Sequence, residues 1–308
     1  METNTGQKKI VAVVLLLFIL LTVQLGTLAL INPFLEEGYQ SVEDPSDPLN
    51  GVLYLGIVLV ATALLLYTIK REMDLLIRIV IISICGFISW YAFTIAAKWI
   101  LPSGPIMLVS LMLACGLSIA LFIHPEWYVI DVAGVIVSAS AAGLFGISFE
   151  PLPTLILLIS LIVYDGVSVY KTKHMLELAD EIGRLKLPLI LIIPLSLKYS
   201  FFRDSMKKNK KEDREAFYIG LGDLILPTVL VASAACFTEA PYLSSQLPIN
   251  IPVIGSMIGT MVGLIILLWL VNKGKAHAGL PFLNGGVITG YLIGSIIAGL
   301  SLKTMIGI

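Results

Sequence analysis

Nine stretches of about 20 residues carrying almost no charge recur along this chain, at 10–31, 51–69, 75–97, 104–123, 128–148, 152–171, 216–237, 251–271 and 285–305. No other feature narrows the fold as much. A bilayer core roughly 30 Å thick is crossed by about 20 apolar residues in α-helix. Within lipid, backbone polar groups must be satisfied inside the segment or by closing a barrel. The runs therefore predict an all-α polytopic membrane protein with nine transmembrane helices. Composition agrees: 57% of the residues are hydrophobic and 13% charged, against about 25% charged in soluble domains. The first run follows Lys8 and Lys9 and continues to Ile31. That is too long for a signal-peptide core, so it reads as a permanent span.

Charge placement orients the spans. With the N-terminus in the cytoplasm, the cytoplasmic side collects Lys8, Lys9, Lys70, Arg71, Arg78, the basic residues from Lys171 to Arg214, Lys273 and Lys275. Of the 20 Lys and Arg, only Lys98 and Lys303 fall elsewhere. The segment 32–50 holds Glu36, Glu37, Glu43, Asp44 and Asp47 and no base. This asymmetry follows the positive-inside rule and places the C-terminus outside. The net charge of −1 says nothing about nucleic acid, and no nucleic-acid partner is expected.

The chain reads in three parts: spans 1–6 over 1–171, a cytoplasmic segment over 172–215, and spans 7–9 over 216–308. In the middle part KTKHMLELADEIGRL places Met175, Leu176, Leu178, Ala179, Ile182 and Leu185 on one face, as in a helix lying on the membrane surface. KLPLILIIPLSLKYSF is too short to span, and Pro188 and Pro194 argue against helix, so an edge strand over 187–195 is expected. KKNKKEDRE is a solvated loop. Small residues recur every fourth position at Gly134, Ser138, Ala142 and Gly146, at Gly255, Gly259 and Gly263, and at Gly286, Gly290, Gly294 and Ala298. Such stripes let backbones approach closely, within the chain or between copies in a homo-oligomer. Cys85, Cys115 and Cys236 lie far apart in apolar runs and are expected to be buried free thiols.

Few ionisable residues lie within the spans. Asp131 and Arg78 fall near cytoplasmic ends, within reach of water or headgroups. Asp165 and Asp223 are deeper: six residues before Lys171 and eight after Glu215, about 9 and 12 Å by helical rise. Spans 6 and 7 are antiparallel and share a loop, so the two acids come to matched depth. A charged residue at the bilayer centre costs ~2.5–3.5 kcal/mol or more, so such residues mark function. Two carboxyls at close range do not both ionise, and the pair holds one proton. Such a pair can activate water against a peptide bond. It also suits a proton- or cation-coupled transporter or a leak channel. No HExxH or Gly-x-Ser-x-Gly is present, and His124, His174 and His277 do not cluster, so neither a metal nor a cofactor is expected.

Tyr164-Asp165 and Gly220-Leu221-Gly222-Asp223 resemble the YD and GxGD motifs of the presenilin and signal peptide peptidase family of intramembrane aspartyl proteases. Ala278-Gly279-Leu280-Pro281 stands where that family carries Pro-Ala-Leu, with alanine for its first proline and glycine for its alanine. HPEWYVID, His124–Asp131, is similar to the short archaeal members. The resemblance implies hydrolysis by Asp165 and Asp223, transmembrane-helix polypeptides as substrates, and residence in lipid, in the cell membrane of an archaeon. It also implies that a non-helical Gly279-Leu280-Pro281 turn holds extended substrate beside the acids. Gly220 and Gly222 would leave the helix beside Asp223 bare for a substrate backbone, or serve helix packing. Tyr164 could bond near the pair or act as an interfacial anchor. The edge at 187–195 would pair with an unwound substrate.

Overall fold

A computed structural model describes residues 2–168, 187–194, 216–271 and 278–306. Nine apolar helices are found among them: α1 (Glu2–Glu36), α2 (Leu49–Lys70), α3 (Asp74–Ile100), α4 (Ile106–Ile123), α5 (Trp127–Gly146), α6 (Pro151–Val167), α7 (Leu221–Phe237), α8 (Ile251–Val271) and α9 (Leu280–Ile297). Two strands, β1 (Ile190–Pro194) and β2 (Ala216–Gly220), precede α7, and a short α10 (Leu302–Ile306) follows α9. Seven helices are long and apolar enough to cross a membrane, so the chain is a polytopic membrane protein. The two shorter ones, α6 and α7, have 17 residues each, about 25 Å at 1.5 Å per residue. They are the two that carry Asp165 and Asp223.

Three expected boundaries change. The seventh apolar run is not all helix, because Ala216–Gly220 is β2 and α7 begins at Leu221. The depth inferred for Asp223 from helical rise therefore does not hold. The last helix begins at Leu280, not 285. It ends at Ile297, where Gly299, at φ 75°, turns the chain into α10. The amphipathic stretch 171–185 and the run 207–215 lie outside the described residues. Cys85 is buried and Cys236 partly so, but Cys115 is exposed; on a membrane helix that places it toward lipid rather than inside the fold.

The chain divides into two compact units. The first holds the start of α1, the end of α2, α3, α4, the first part of α5, the two strands and the first two residues of α7. In it Gly86 lets α3 lie against Ser118 of α4, and the Trp90 indole donates to Ser110 Oγ at 2.9 Å. Arg78 donates to the Phe122 carbonyl at 2.6 Å. β1 and β2 pair antiparallel from Ile190↔Gly220 to Pro194↔Ala216, and Leu221 N–H extends the ladder to the Leu189 carbonyl at 2.9 Å. Ile192 N–H points away from β2, to Asp131 Oδ1 at 2.8 Å. Pro194 shares that outward side, where its missing N–H breaks no ladder bond. Of the edge strand expected at 187–195, Ile190–Pro194 form a paired strand whose outer edge has one donor engaged and another absent, and residue 195 lies outside the described residues. Asp131 bonds this strand through Oδ1.

The second unit holds α6, α8, α9, α10, the later parts of α1 and α5, most of α2, and α7 from Asp223. Its tightest seam joins α8 and α9. Ideal Cβ atoms on Gly255, Gly259 and Gly263 would strike the backbone at Gly290, Gly286 and Phe282, as the small-residue stripes lead one to expect. Gly51 of α2 meets the Pro153 carbonyl, and Gly146 of α5 meets Ala232 of α7.

Candidate active site

α6 opens on Pro151, with Pro153 two residues on; proline is tolerated in a first turn, where N–H groups lack helical acceptors. Leu158 and Leu161 are buried on one face. Asp165 continues that face at helical spacing, in the last turn, and is only 4% exposed. Leu157 and Leu161 cluster with Leu280 of α9, and Tyr54, Leu55, Val58 and Leu226 pack around them. An acid on this face therefore points where the leucines point, at the start of α9.

There it finds a donor. The first N–H groups of a helix have no intrahelical acceptor, and Gly279 at the N-cap has no side chain to supply one. Leu280 N–H donates to Asp165 Oδ2 at 3.1 Å, so Asp165 caps α9 from another helix. Pro281, at the second position, has no N–H to place, and Phe282 and Leu283 N–H bond the Gly279 carbonyl at 3.1 and 3.2 Å. The Gly279-Leu280-Pro281 step is therefore the first turn of α9 and not the non-helical turn expected. Proline suits that turn, which it pre-sets in φ.

Asp223 reaches the same step from α7. It is the third residue of that helix, partly buried. An ideal Cβ on Gly279 would lie 2.9 Å from both its carboxylate oxygens. Gly279 has an ordinary helical φ of −77°, so the close approach of a carboxylate, not backbone conformation, explains glycine there. Pro227 lies four residues on in α7 and brings no N–H to the Asp223 carbonyl. Asp165 thus stands on Leu280 and Asp223 on Gly279: two acids converge on one peptide step.

The remaining candidates surround this pair unequally. Tyr164 is half-buried beside Asp165, and Ala278 is buried immediately before Gly279. Gly222 is exposed, with open space where a Cβ would stand. Gly220 closes β2 rather than baring a helix surface, and Leu221 is buried against Gly134. The capping by Asp165 went unforeseen in the sequence; Pro281, a marker of a helix start, was its available signal.

Solved structures of the class of intramembrane aspartate proteases are similar to this chain. A presenilin family intramembrane aspartate protease in the C222 space group matches at 33% identity and a TM-score of 0.67, over 92% of this chain and 99% of that one. One in the P2 space group matches at 33% identity and a TM-score of 0.63, over 91% and 96%. The family described as signal-peptide peptidase, presenilin aspartyl protease matches residues 17–300. The chain belongs to that family. No curated protein matches it.

Proposed function

We propose that this chain is an intramembrane aspartyl endopeptidase in which Asp165 and Asp223 work as a pair on transmembrane-helix polypeptides. The observation that carries this reading is the convergence of both carboxylates on Gly279-Leu280. One proton is shared by the pair. The ionised carboxyl takes a proton from a water as its oxygen attacks the peptide carbonyl carbon. The protonated carboxyl gives its proton to the carbonyl oxygen, and a tetrahedral diol forms. As the C–N bond breaks, the nitrogen takes a proton from the carboxyl that received one, and the hydroxyl proton returns to its partner. Gly222 leaves room beside Asp223 for an extended substrate backbone, and Ala278, Gly279, Leu280 and Pro281 line the approach with the acids.

In this reading the chain crosses the membrane nine times with its N-terminus in the cytoplasm. α6 and α7 are the short spans, and each carries its acid near one end. The test is cleavage of a single-span peptide by purified protein in detergent, with and without a transition-state isostere for aspartic proteases. Asp165→Asn and Asp223→Asn should each lower turnover by at least ~10²–10⁴-fold, and the isostere should block the unaltered protein. Cleavage kept by either variant would remove the paired mechanism.

A further inference from the structure

The hydrolysis described above makes no use of Asp131, although an acid in a membrane helix needs a reason. Its Oδ1 accepts the N–H of Ile192, a strand residue fully buried on the outward side of β1. A buried N–H that points away from its ladder needs an acceptor, and a carboxylate is a strong one. Three residues along α5, and so on a neighbouring face, Gly134 leaves a hollow. A Cβ there would lie 2.7 Å from Leu191 Cδ2 and 2.9 Å from Leu221 Cδ2. Leu191 is 0% and Leu221 4% exposed. Leu221 is also bound to the ladder through its N–H to the Leu189 carbonyl.

These contacts meet at one place. A hydrogen bond holds β1 to α5, β1 holds β2 through the ladder, and the first residue of α7 sits beside Leu191 over Gly134. Asp223 follows two residues later in the same helix. Gly222, between them, has nothing within 4 Å of its Cβ position, so it contributes no side-chain anchor of its own. We infer that Asp131 and Gly134 form a seat on α5 that holds the Gly220–Gly222 segment directly before Asp223, making Asp131 a positioning residue for hydrolysis. The inference rests on the assignment of Asp223 to the reacting pair. The role of Asp131 is that of an acceptor, which an amide oxygen can fill; its charge is not required.

The experiment uses the full chain in detergent with the single-span peptide, alongside hydrogen exchange of the Ile192 amide. Asp131→Asn should keep kcat within about threefold of the unaltered protein. Asp131→Ala should lower kcat at least tenfold at unchanged KM, in line with the ~10²-fold loss that a misplacement near 1 Å can bring, and should speed Ile192 exchange. Gly134→Val should lower kcat similarly, and adding Leu191→Ala should restore part of it. Unchanged turnover in Asp131→Ala, equal damage in Asp131→Asn and Asp131→Ala, or a loss confined to KM would overturn the inference. If Asp131→Ala does not fold, the Gly134→Val pair decides, and no restoration by Leu191→Ala counts against the seat. Cleavage surviving in Asp223→Asn sinks the paired mechanism instead, while the exchange of Ile192 still reports on the seat.

Discussion

Gly279 and Asp223 stand so close that a methyl group on the glycine would lie 2.9 Å from both carboxylate oxygens. Because Gly279 has a φ any residue can adopt, Gly279→Ala brings no backbone strain. The three heavy atoms nearest the added methyl all belong to the Asp223 carboxyl. Turnover should fall by about 10²-fold, as for other small displacements of reacting groups, while the thermal midpoint moves little. Ala278→Gly, one residue earlier, is the control and should keep most activity. Equal losses from both would mean that the turn is generally sensitive and that no specific clash exists.

The α8–α9 seam makes the opposite prediction. A Cβ on Gly259 would meet the Gly286 carbonyl and backbone, and one on Gly286 would meet Gly259 in the same way. Neither neighbour is a flexible side-chain end that can swing aside. Gly259→Ala should therefore push the helices apart at a cost of ~1–3 kcal/mol, read as a lower unfolding midpoint in detergent. Gly285, with nothing within 4 Å, should accept alanine with no such loss.

The contrast among these glycines also shows where sequence reasoning reaches. Spans were legible because lipid imposes a length and an apolar composition that few other environments demand. The Gly255–Gly259–Gly263 stripe was legible because its period is that of a helix face. β2 was not. AFYIG is apolar and meets LGDLIL with only Gly220 at the junction, and a short apolar run does not declare its period. The bond from Ile192 to Asp131 spans 61 residues, and nothing local to either end announces it. The two acids were found from their isolation in apolar runs, but their meeting point was not, since it depends on where α9 starts. Pro281 marks that start; the motif it belongs to led instead to a non-helical turn.

The segment joining α1 to α2 offers a pH test together with Glu150. Ser46 donates to Asp44 from its hydroxyl at 2.6 Å and its N–H at 3.0 Å, and these bonds hold the Asp44 carboxyl below its usual range. Burial, and then the charge of Asp44, pushes the Glu150 carboxyl up. The signs differ. For Asp44 the native state binds the proton less readily than the unfolded chain, so its contribution is present above about pH 3.9 and lost as pH falls below it. For Glu150 the native state binds it more readily, so stability declines as pH rises from about 4.3 through the raised value. Glu150→Gln should thus raise the unfolding midpoint at pH 7 relative to the unaltered protein, with the gain vanishing toward pH 4. Added salt should shrink it. A gain independent of pH would mean that packing, not ionisation, is responsible.

Gly146 and Ala232 allow the crossing of α5 with α7 to be tested by exchange of a single methyl. An ideal Cβ on Gly146 would collide with the Ala232 methyl and lie 3.2 Å from the Ala232 Cα and carbonyl carbon. Gly146→Ala alone should destabilise by ~1–3 kcal/mol. Ala232→Gly alone removes the obstructing methyl and should cost about 1 kcal/mol, the ordinary penalty of glycine within a helix. If the two helices touch there, the double variant returns a methyl to the space that Ala232→Gly vacates. It should then be more stable than the sum of the single effects allows, with a coupling of ~0.5–3 kcal/mol in a double-mutant cycle. Ala232 lies nine residues beyond Asp223 on α7, so a helix displaced by Gly146→Ala also carries its acid with it. Turnover should follow the same cycle, lowered in Gly146→Ala and recovered in the double variant. Strictly additive effects on stability and turnover would mean that the crossing relaxes without moving α7.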